Sequence, residues 1–486
     1  MTTAVEIPYL PALRYGRHYE SLDVNELRAI GSDVPLARVG QINPGLLRRD
    51  ILQARQMREG LVDLAARDLV EMIRRAGERF LTGTVNLAPD LPEQTEADFV
   101  RVLSASTGLP HRLCQANMEK VALVCRNLER VLQGLTRGLD LSLFDQGVVD
   151  QQGIPVCFFP MADSLGVVLP SNSPGVNSLW IPALAMKIPV FLKPGREDPW
   201  TPLRLAQAFI QEGVPRELLS FYPAGHEGGE TLLQTSGRGI VFGGDATVEC
   251  YAGNPAIQTH GTGRSKILFG EDTADRWEAY IDVIVDSVAR NSGRSCINAS
   301  CVLTPRHGDA IAAAIAERLN RIEPLPLDDP QAELSGFANP AMAEGIDAIL
   351  EAGLKEPGAT DLTAPLRAGP RLVRHDNGLS YLRPTVVRAD TLEHPLGNTE
   401  FLFPYCSVVE MPTAEMTEKM GFTLVVTALT EDERWMRTLM ACPDVDRLNI
   451  GAVPTCVVEW EQPHEGNLFE FLFQRRAIQR GGAPTA

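Results

Sequence analysis

Apolar and polar positions change period several times along the chain, and each change marks an element. Residues 5–16 mix Pro with aromatic residues and are expected to be extended. Residues 43–81 carry a Leu, Ile, Val and Met stripe interleaved with Arg, Asp and Glu, which predicts helix; Pro44 suits its first turn. A second helical stretch covers 96–138, interrupted at Gly108-Leu109-Pro110. Stripes of this kind usually serve a core. Between 141 and 160, short β-prone pieces separated by Gly147 and Gly153 predict a hairpin.

An alternation then begins. β-prone runs at 164–169, 190–192, 219–222, 240–242 and 265–269 are separated by helical runs. Leu179, Trp180 and Leu184 mark one such run, and Leu205, Phe209 and Ile210 another. Strands alternating with helices imply a doubly wound parallel sheet, whose ligands sit at the carboxyl ends of its strands. Those ends are Ser171-Asn172, Lys193-Pro194 and Gly243-Gly244. Trp277, Tyr280, Ile281, Ile284, Val285 and Val288 recur at helical spacing, and 301–304 is β-prone. A small polar turn containing Cys296 joins the two. A second α/β unit follows, with Ile311, Ile315, Leu319 and Ile322 striping a helix and strands at 407–410 and 423–429. Residues 323–378, rich in Pro, Gly and Asp, are expected to wind over the surface. An apolar stretch at 467–473 and a basic tail close the chain.

Composition narrows the options. A length of 486 residues allows two or three domains, and 44% apolar with 22% charged content is ordinary for a globular protein. A net charge of −17 argues against nucleic acid or an anionic membrane as partner, since both need a basic face. No apolar run reaches the length of a membrane span, and the first 16 residues lack the succession of a signal peptide, so cytoplasm is the expected location. The nine cysteines form no CxxC pair and the eight histidines no HExxH, so free thiols and no metal are expected. A thiol in the Cys296 turn can be exposed, with its pKa lowered by nearby backbone N–H groups. It can equally be a buried structural cysteine. No G-x-G-x-x-G opens a helix after a strand, so the usual dinucleotide fingerprint is missing.

Six pieces, in order, resemble the aldehyde dehydrogenase superfamily. They are Pro170-Ser171-Asn172-Ser173-Pro174, Leu192-Lys193-Pro194, Phe242-Gly243-Gly244, the Cys296 turn, Tyr381-Leu382-Arg383-Pro384-Thr385-Val386 and Glu400-Phe401-Leu402-Phe403-Pro404. The resemblance covers about residues 145 to 460. The resemblance implies a Rossmann-type nucleotide domain over 1–140 and 161–270 and an α/β catalytic domain over 271–460. It also implies a β-hairpin oligomerisation arm, 141–160, with a tail at 461–486, pairing subunits into a homodimer or homotetramer. It puts the nucleophile at Cys296 and not at Cys301. Asn172 would donate its side-chain amide to the oxyanion, a contact worth about 3 kcal/mol. Lys193 would hold the adenosine ribose, Gly244 would face the phosphates, and Glu400 would grip the nicotinamide ribose.

Three positions depart from the family. Arg196 stands where NAD-preferring members carry Glu; an Arg can pair with a 2′-phosphate, which leans toward NADP over NAD despite Glu197 and Asp198 alongside. Asp245 follows Gly244 where a Ser is usual, and a carboxylate beside a diphosphate is unfavourable unless it points away. His260 occupies the place of the Glu that activates water in hydrolytic members. A histidine can act as general base near neutral pH or have no role. Branches that reduce acyl thioesters lack that Glu, and the Gly261-to-Ser265 segment is similar, loosely, to fatty acyl-CoA reductases. The expected function is therefore NAD(P)-linked interconversion of an acyl thioester and an aldehyde through an acyl-Cys296, with CoA as possible co-substrate. The alternatives are hydrolytic oxidation of an aldehyde to an acid, with His260 or another base, and a non-catalytic scaffold of the same fold.

Overall fold

A computed structural model of the protein describes residues 7–479 and 481, except 33, 376 and 377. Two seven-stranded sheets carry the chain. The first runs, in spatial order, Ile257–His260, Arg238–Phe242, Leu165–Val168, Val190–Lys193, Leu219–Phe221, Ala12–Arg14 and Arg17–Tyr19. Its first five strands are parallel. The strand order reverses between Leu165–Val168 and Arg238–Phe242, the point where a doubly wound sheet opens a ligand crevice. Two N-terminal strands, antiparallel, complete the far edge; of the segment expected to be extended, residues 5 and 6 lie outside the described residues.

The second sheet runs Ala359–Asp361, Thr385–Ala389, Tyr405–Glu410, Ala299–Thr304, Ser265–Phe269, Thr423–Leu429 and Val445–Ile450. Ser265–Phe269 was expected in the first sheet and belongs to this one. It is buried throughout, between Ala299–Thr304 and Thr423–Leu429. The crossing from one sheet to the next is made at residues 261–264, where Arg264 takes a left-handed backbone (φ 44°). Ile257–His260 fills the edge of the first sheet instead.

Residues 323–378 hold more structure than expected. Pro340–Gly353 is a helix capped by the Asn339 side chain, burying Ala343 and Leu350, and Ala359–Asp361 is an edge strand. The N-terminal helical region breaks into Pro44–Ile51, Ala54–Glu59 and Ala66–Thr82, and the second into Glu96–Thr107, His111–Arg126 and Leu128–Leu135. The hairpin Val148–Gln151 and Ile154–Pro160 is joined by Phe473–Arg476, so tail and arm form one small sheet.

Candidate active site

A cavity of about 410 Å³ lies where the carboxyl ends of the first sheet meet the Cys296 turn. Asn172, Gly244, His260, Cys296 and Glu400 all line it. The helix Ile281–Ala289 ends at Arg290, and the chain reaches the strand Ala299–Thr304 through residues 290–298. Asn298 holds this turn, accepting from Ser295 N at 2.9 Å and donating to Ser287 O and Arg290 O. Ser265 Oγ donates to Cys296 O at 2.8 Å, tying the turn to the second sheet. Packing here is close: a Cβ on Gly263 would stand 2.0 Å from Cys296 O. Gly263→Ala is expected to cost about 1–3 kcal/mol of stability, as overpacked sites do, and to lower the melting temperature measurably.

The thiol is hemmed in by protein and carboxylates. Burial pushes the Cys296 thiol well above its ordinary pKa, and Glu465 and Glu400 push it further, against the pull of Lys120. Cys296 Sγ donates to Glu465 Oε1 across 3.8 Å. The other oxygen of Glu465 meets His260 Nδ1 in a short contact. Burial would raise the Glu465 pKa, but His260 and His464 bring it below the usual range, so it is a carboxylate at neutral pH. His260 ends the strand Ile257–His260, stacks on Phe242 at 4.7 Å, and leaves its Nε2 buried without a partner. The imidazole therefore reaches the site through Glu465, and it is the carboxylate that faces the sulfur.

Asn172 Nδ2 donates to Arg294 O at 2.8 Å. One amide hydrogen is thereby fixed, which leaves this cavity-lining side chain a second one to donate. Asp245, the residue expected to oppose a diphosphate, is drawn away: Thr262 Oγ1 and Arg264 Nη2 each donate to it at 2.5 Å. Glu400 accepts from Arg264 N at 2.6 Å with one oxygen, and burial pushes its carboxyl up to about 8. Lys193 and Arg196 are not brought into this cavity. Lys193 ends its strand with its stem near Gly229 and its pKa lowered by burial, and Arg196 is exposed on the following turn.

Two cavity residues escape sequence reasoning. Glu465 falls in the segment taken for arm and tail, and nothing in His464-Glu465-Gly466 marks it beyond a Glu-Gly pair; its backbone is left-handed (φ 53°). Lys120 sits on the helix His111–Arg126, taken as core, where Asn117 and Lys120 interrupt the apolar face.

Fold and site define an α/β protein with a half-buried cysteine set beside the switch point of a doubly wound sheet. The chain belongs to the aldehyde dehydrogenase family, whose model matches residues 83–439. It is 26% identical over 314 residues to 5-carboxymethyl-2-hydroxymuconate semialdehyde dehydrogenase of Escherichia coli, covering 61% of this chain and 64% of that protein. It is 26% identical over 289 residues to N-succinylglutamate 5-semialdehyde dehydrogenase of Vibrio cholerae, covering 56% and 57%. The match thus spans less than two thirds of these relatives. Among solved structures, an indole-3-acetaldehyde dehydrogenase complexed with NAD+ superposes with a TM-score of 0.77 at 17% identity, covering 98% of this chain and 96% of that one. The aldehyde dehydrogenase KauB of Pseudomonas aeruginosa gives 0.78 at 17%, covering 98% and 97%. At such identity the likeness is one of fold. No described helix is long and apolar enough to cross a membrane.

Proposed function

We propose that the protein oxidises an aldehyde to a carboxylic acid with NAD(P) as acceptor, through an acyl-Cys296 hydrolysed by water. The observation that carries this reading is Glu465, a carboxylate 3.8 Å from Cys296 Sγ and held by His260. The thioester reading rested on a missing base at position 260. Glu465 supplies a base from another part of the chain, and the two relatives named above are both semialdehyde dehydrogenases. A scaffold without activity would have no use for a carboxylate, a thiol and a free amide hydrogen converging on one cavity.

The residues present fit a dinucleotide. Gly225 and Gly244, which precede the helices His226–Thr235 and Asp245–Tyr251, have open space where a side chain would stand. Lys193 has no hydrogen-bond or ion-pair partner among the described residues. Lys193 would hold the adenosine ribose, Gly244 would let the phosphates approach, and Glu400 would offer its second oxygen to the nicotinamide ribose. The solved indole-3-acetaldehyde dehydrogenase is a complex with NAD+.

Cys296 gives up its proton to solvent, and the thiolate attacks the aldehyde carbon. The oxygen of the resulting thiohemiacetal is stabilised by the second hydrogen of Asn172 Nδ2. The nicotinamide, when bound, supplies the chemistry of accepting a hydride from that adduct, which leaves an acyl group on Cys296. Glu465, already a carboxylate, takes a proton from the attacking water and passes it to the departing sulfur. The S–C bond then breaks, the acid leaves, and the thiol is restored. The test is to supply a panel of aldehydes with NAD+ or NADP+ and to assay reduced nicotinamide and free acid together. Equal yields of the two support hydrolytic oxidation; reduced nicotinamide without acid sinks it.

Cofactor choice is tested at Arg196. If its guanidinium pairs with a 2′-phosphate, Arg196→Glu should weaken NADP by about ten- to a hundredfold, the worth of a charge-assisted contact, and leave NAD nearly untouched. Equal loss for both, measured by fluorescence titration, would mean that Arg196 only shapes the strand end.

A further inference from the structure

We propose that Lys120 is a recognition residue for an anionic group on the substrate, so that the preferred aldehyde carries a carboxylate at its far end. This rests on the reading that the cavity oxidises aldehydes. Lys120 lies on the helix His111–Arg126, and its stem passes Gly175, three residues after Asn172. A Cβ on Gly175 would stand 3.0 Å from Lys120 Cδ, so the bare backbone there leaves the stem its path. The ammonium lies 5.5 Å from the centre of the Trp460 ring. It makes no hydrogen bond or ion pair among the described residues.

The ionisable groups around the sulfur are already engaged, and Glu197 is the further carboxylate that lines the cavity. Glu465 is held by His260, Glu400 by the Arg264 N–H, and Arg294 donates to Thr107 O at 3.2 Å. Taking an ammonium out of water without a hydrogen-bonded carboxylate is costly, and burial lowers the pKa of Lys120 although Cys296 and Glu465 act on it through space. Such a group is compensated when a ligand brings the anion. Lys120 also stands at a junction. Together with Ser295, Ile297 and Trp460 it lines both the Cys296 cavity and a second one of about 550 Å³. Leu113, Leu123 and Val458 give the second cavity apolar walls. An aldehyde with its carbonyl at Cys296 and its chain running toward the second cavity passes Lys120. In a chain of net charge −17, a local cation is what lets an anion in.

Lys120 could instead serve only the sulfur, since its charge favours the Cys296 thiolate. The two roles differ in how they treat substrates. The experiment compares 4-oxobutanoate, 5-oxopentanoate and 6-oxohexanoate with butanal, pentanal and hexanal, in the wild type, Lys120→Met and Lys120→Arg. The wild type should favour one carboxylated aldehyde over its uncharged counterpart. Lys120→Met should shrink that preference about ten- to a hundredfold, mainly through KM, and Lys120→Arg should keep most of it. Equal loss on charged and uncharged aldehydes, or a wild type indifferent to the carboxylate, overturns the proposal. A second readout needs no turnover: succinate should slow alkylation of Cys296 by iodoacetamide in the wild type and not in Lys120→Met. If succinate protects in this way while no aldehyde is oxidised, the anion site stands and the oxidation reading falls. If succinate protects both proteins equally, the anion does not sit at Lys120.

Discussion

Cys296→Ala is expected to lose at least about four orders of magnitude in kcat, the scale seen when a covalent nucleophile is removed. No other described thiol lies in the cavity with Asn172 and Glu465. The fold should survive, because Cys296 packs at the edge of a small cluster of Ile297, Leu424 and Val425 and not in a main core. Cofactor binding should survive too. Cys301→Ala should behave oppositely. Cys301 is fully buried in the strand Ala299–Thr304 and packs with Leu268 and Leu303, so its truncation should cost roughly 1–2 kcal/mol of stability and spare most of the activity. Steady-state rates and melting curves on the two variants separate these roles. An active Cys296→Ala would remove the covalent mechanism altogether.

Glu465→Gln should separate two properties that usually move together. General base catalysis contributes about 10²–10⁴-fold, so turnover should fall by that range, with acyl-enzyme accumulating after a burst of reduced nicotinamide. The thiol should change in the other direction. Its pKa stands above the ordinary value partly because the Glu465 carboxylate opposes a thiolate, and removing that charge lowers the pKa toward normal. A lower thiol pKa means more thiolate at neutral pH, so alkylation of Cys296 by iodoacetamide should become faster and its pH midpoint should move down. Turnover falling while alkylation quickens is the signature of a deacylation base. Both falling together would indicate a collapsed site. His260→Gln should give a milder loss, since His260 acts through Glu465 and offers no ring nitrogen of its own to the cavity.

Much of this arrangement was legible in the chain. Short buried strands alternating with helices announced the first sheet, and the small polar turn announced Cys296. Asn172, Gly244, His260 and Glu400 could be named because the segments that hold them resemble those of the aldehyde dehydrogenase family. What stayed hidden has a common cause. Ser265–Phe269 reads like any apolar strand, and only its neighbours, in part far later in the chain, decide that it lies in the second sheet (Phe269 pairs with Leu429, for example). The helix Pro340–Gly353 was masked by the Pro and Gly around it, although Asn339-Pro340 is a sound start signal. Glu465 is a loop carboxylate, and loops carry no period. Its approach to the sulfur depends on contacts from two distant segments, the strand that carries Gln258 and His260 and the one that carries Asp446. Lys120 was hidden for a different reason, since a lysine on a striped helix ordinarily faces water.

Hydrolysis at the Cys296–Glu465 pair is tested most directly by asking what removes the acyl group. Aldehyde and oxidised cofactor are supplied with and without CoA, and reduced nicotinamide, free acid and acyl-CoA are followed together. A base beside the sulfur predicts a steady rate that CoA does not change and a yield of free acid matching reduced nicotinamide. A burst followed by a slow phase that CoA accelerates several-fold, with acyl-CoA as product, would contradict it.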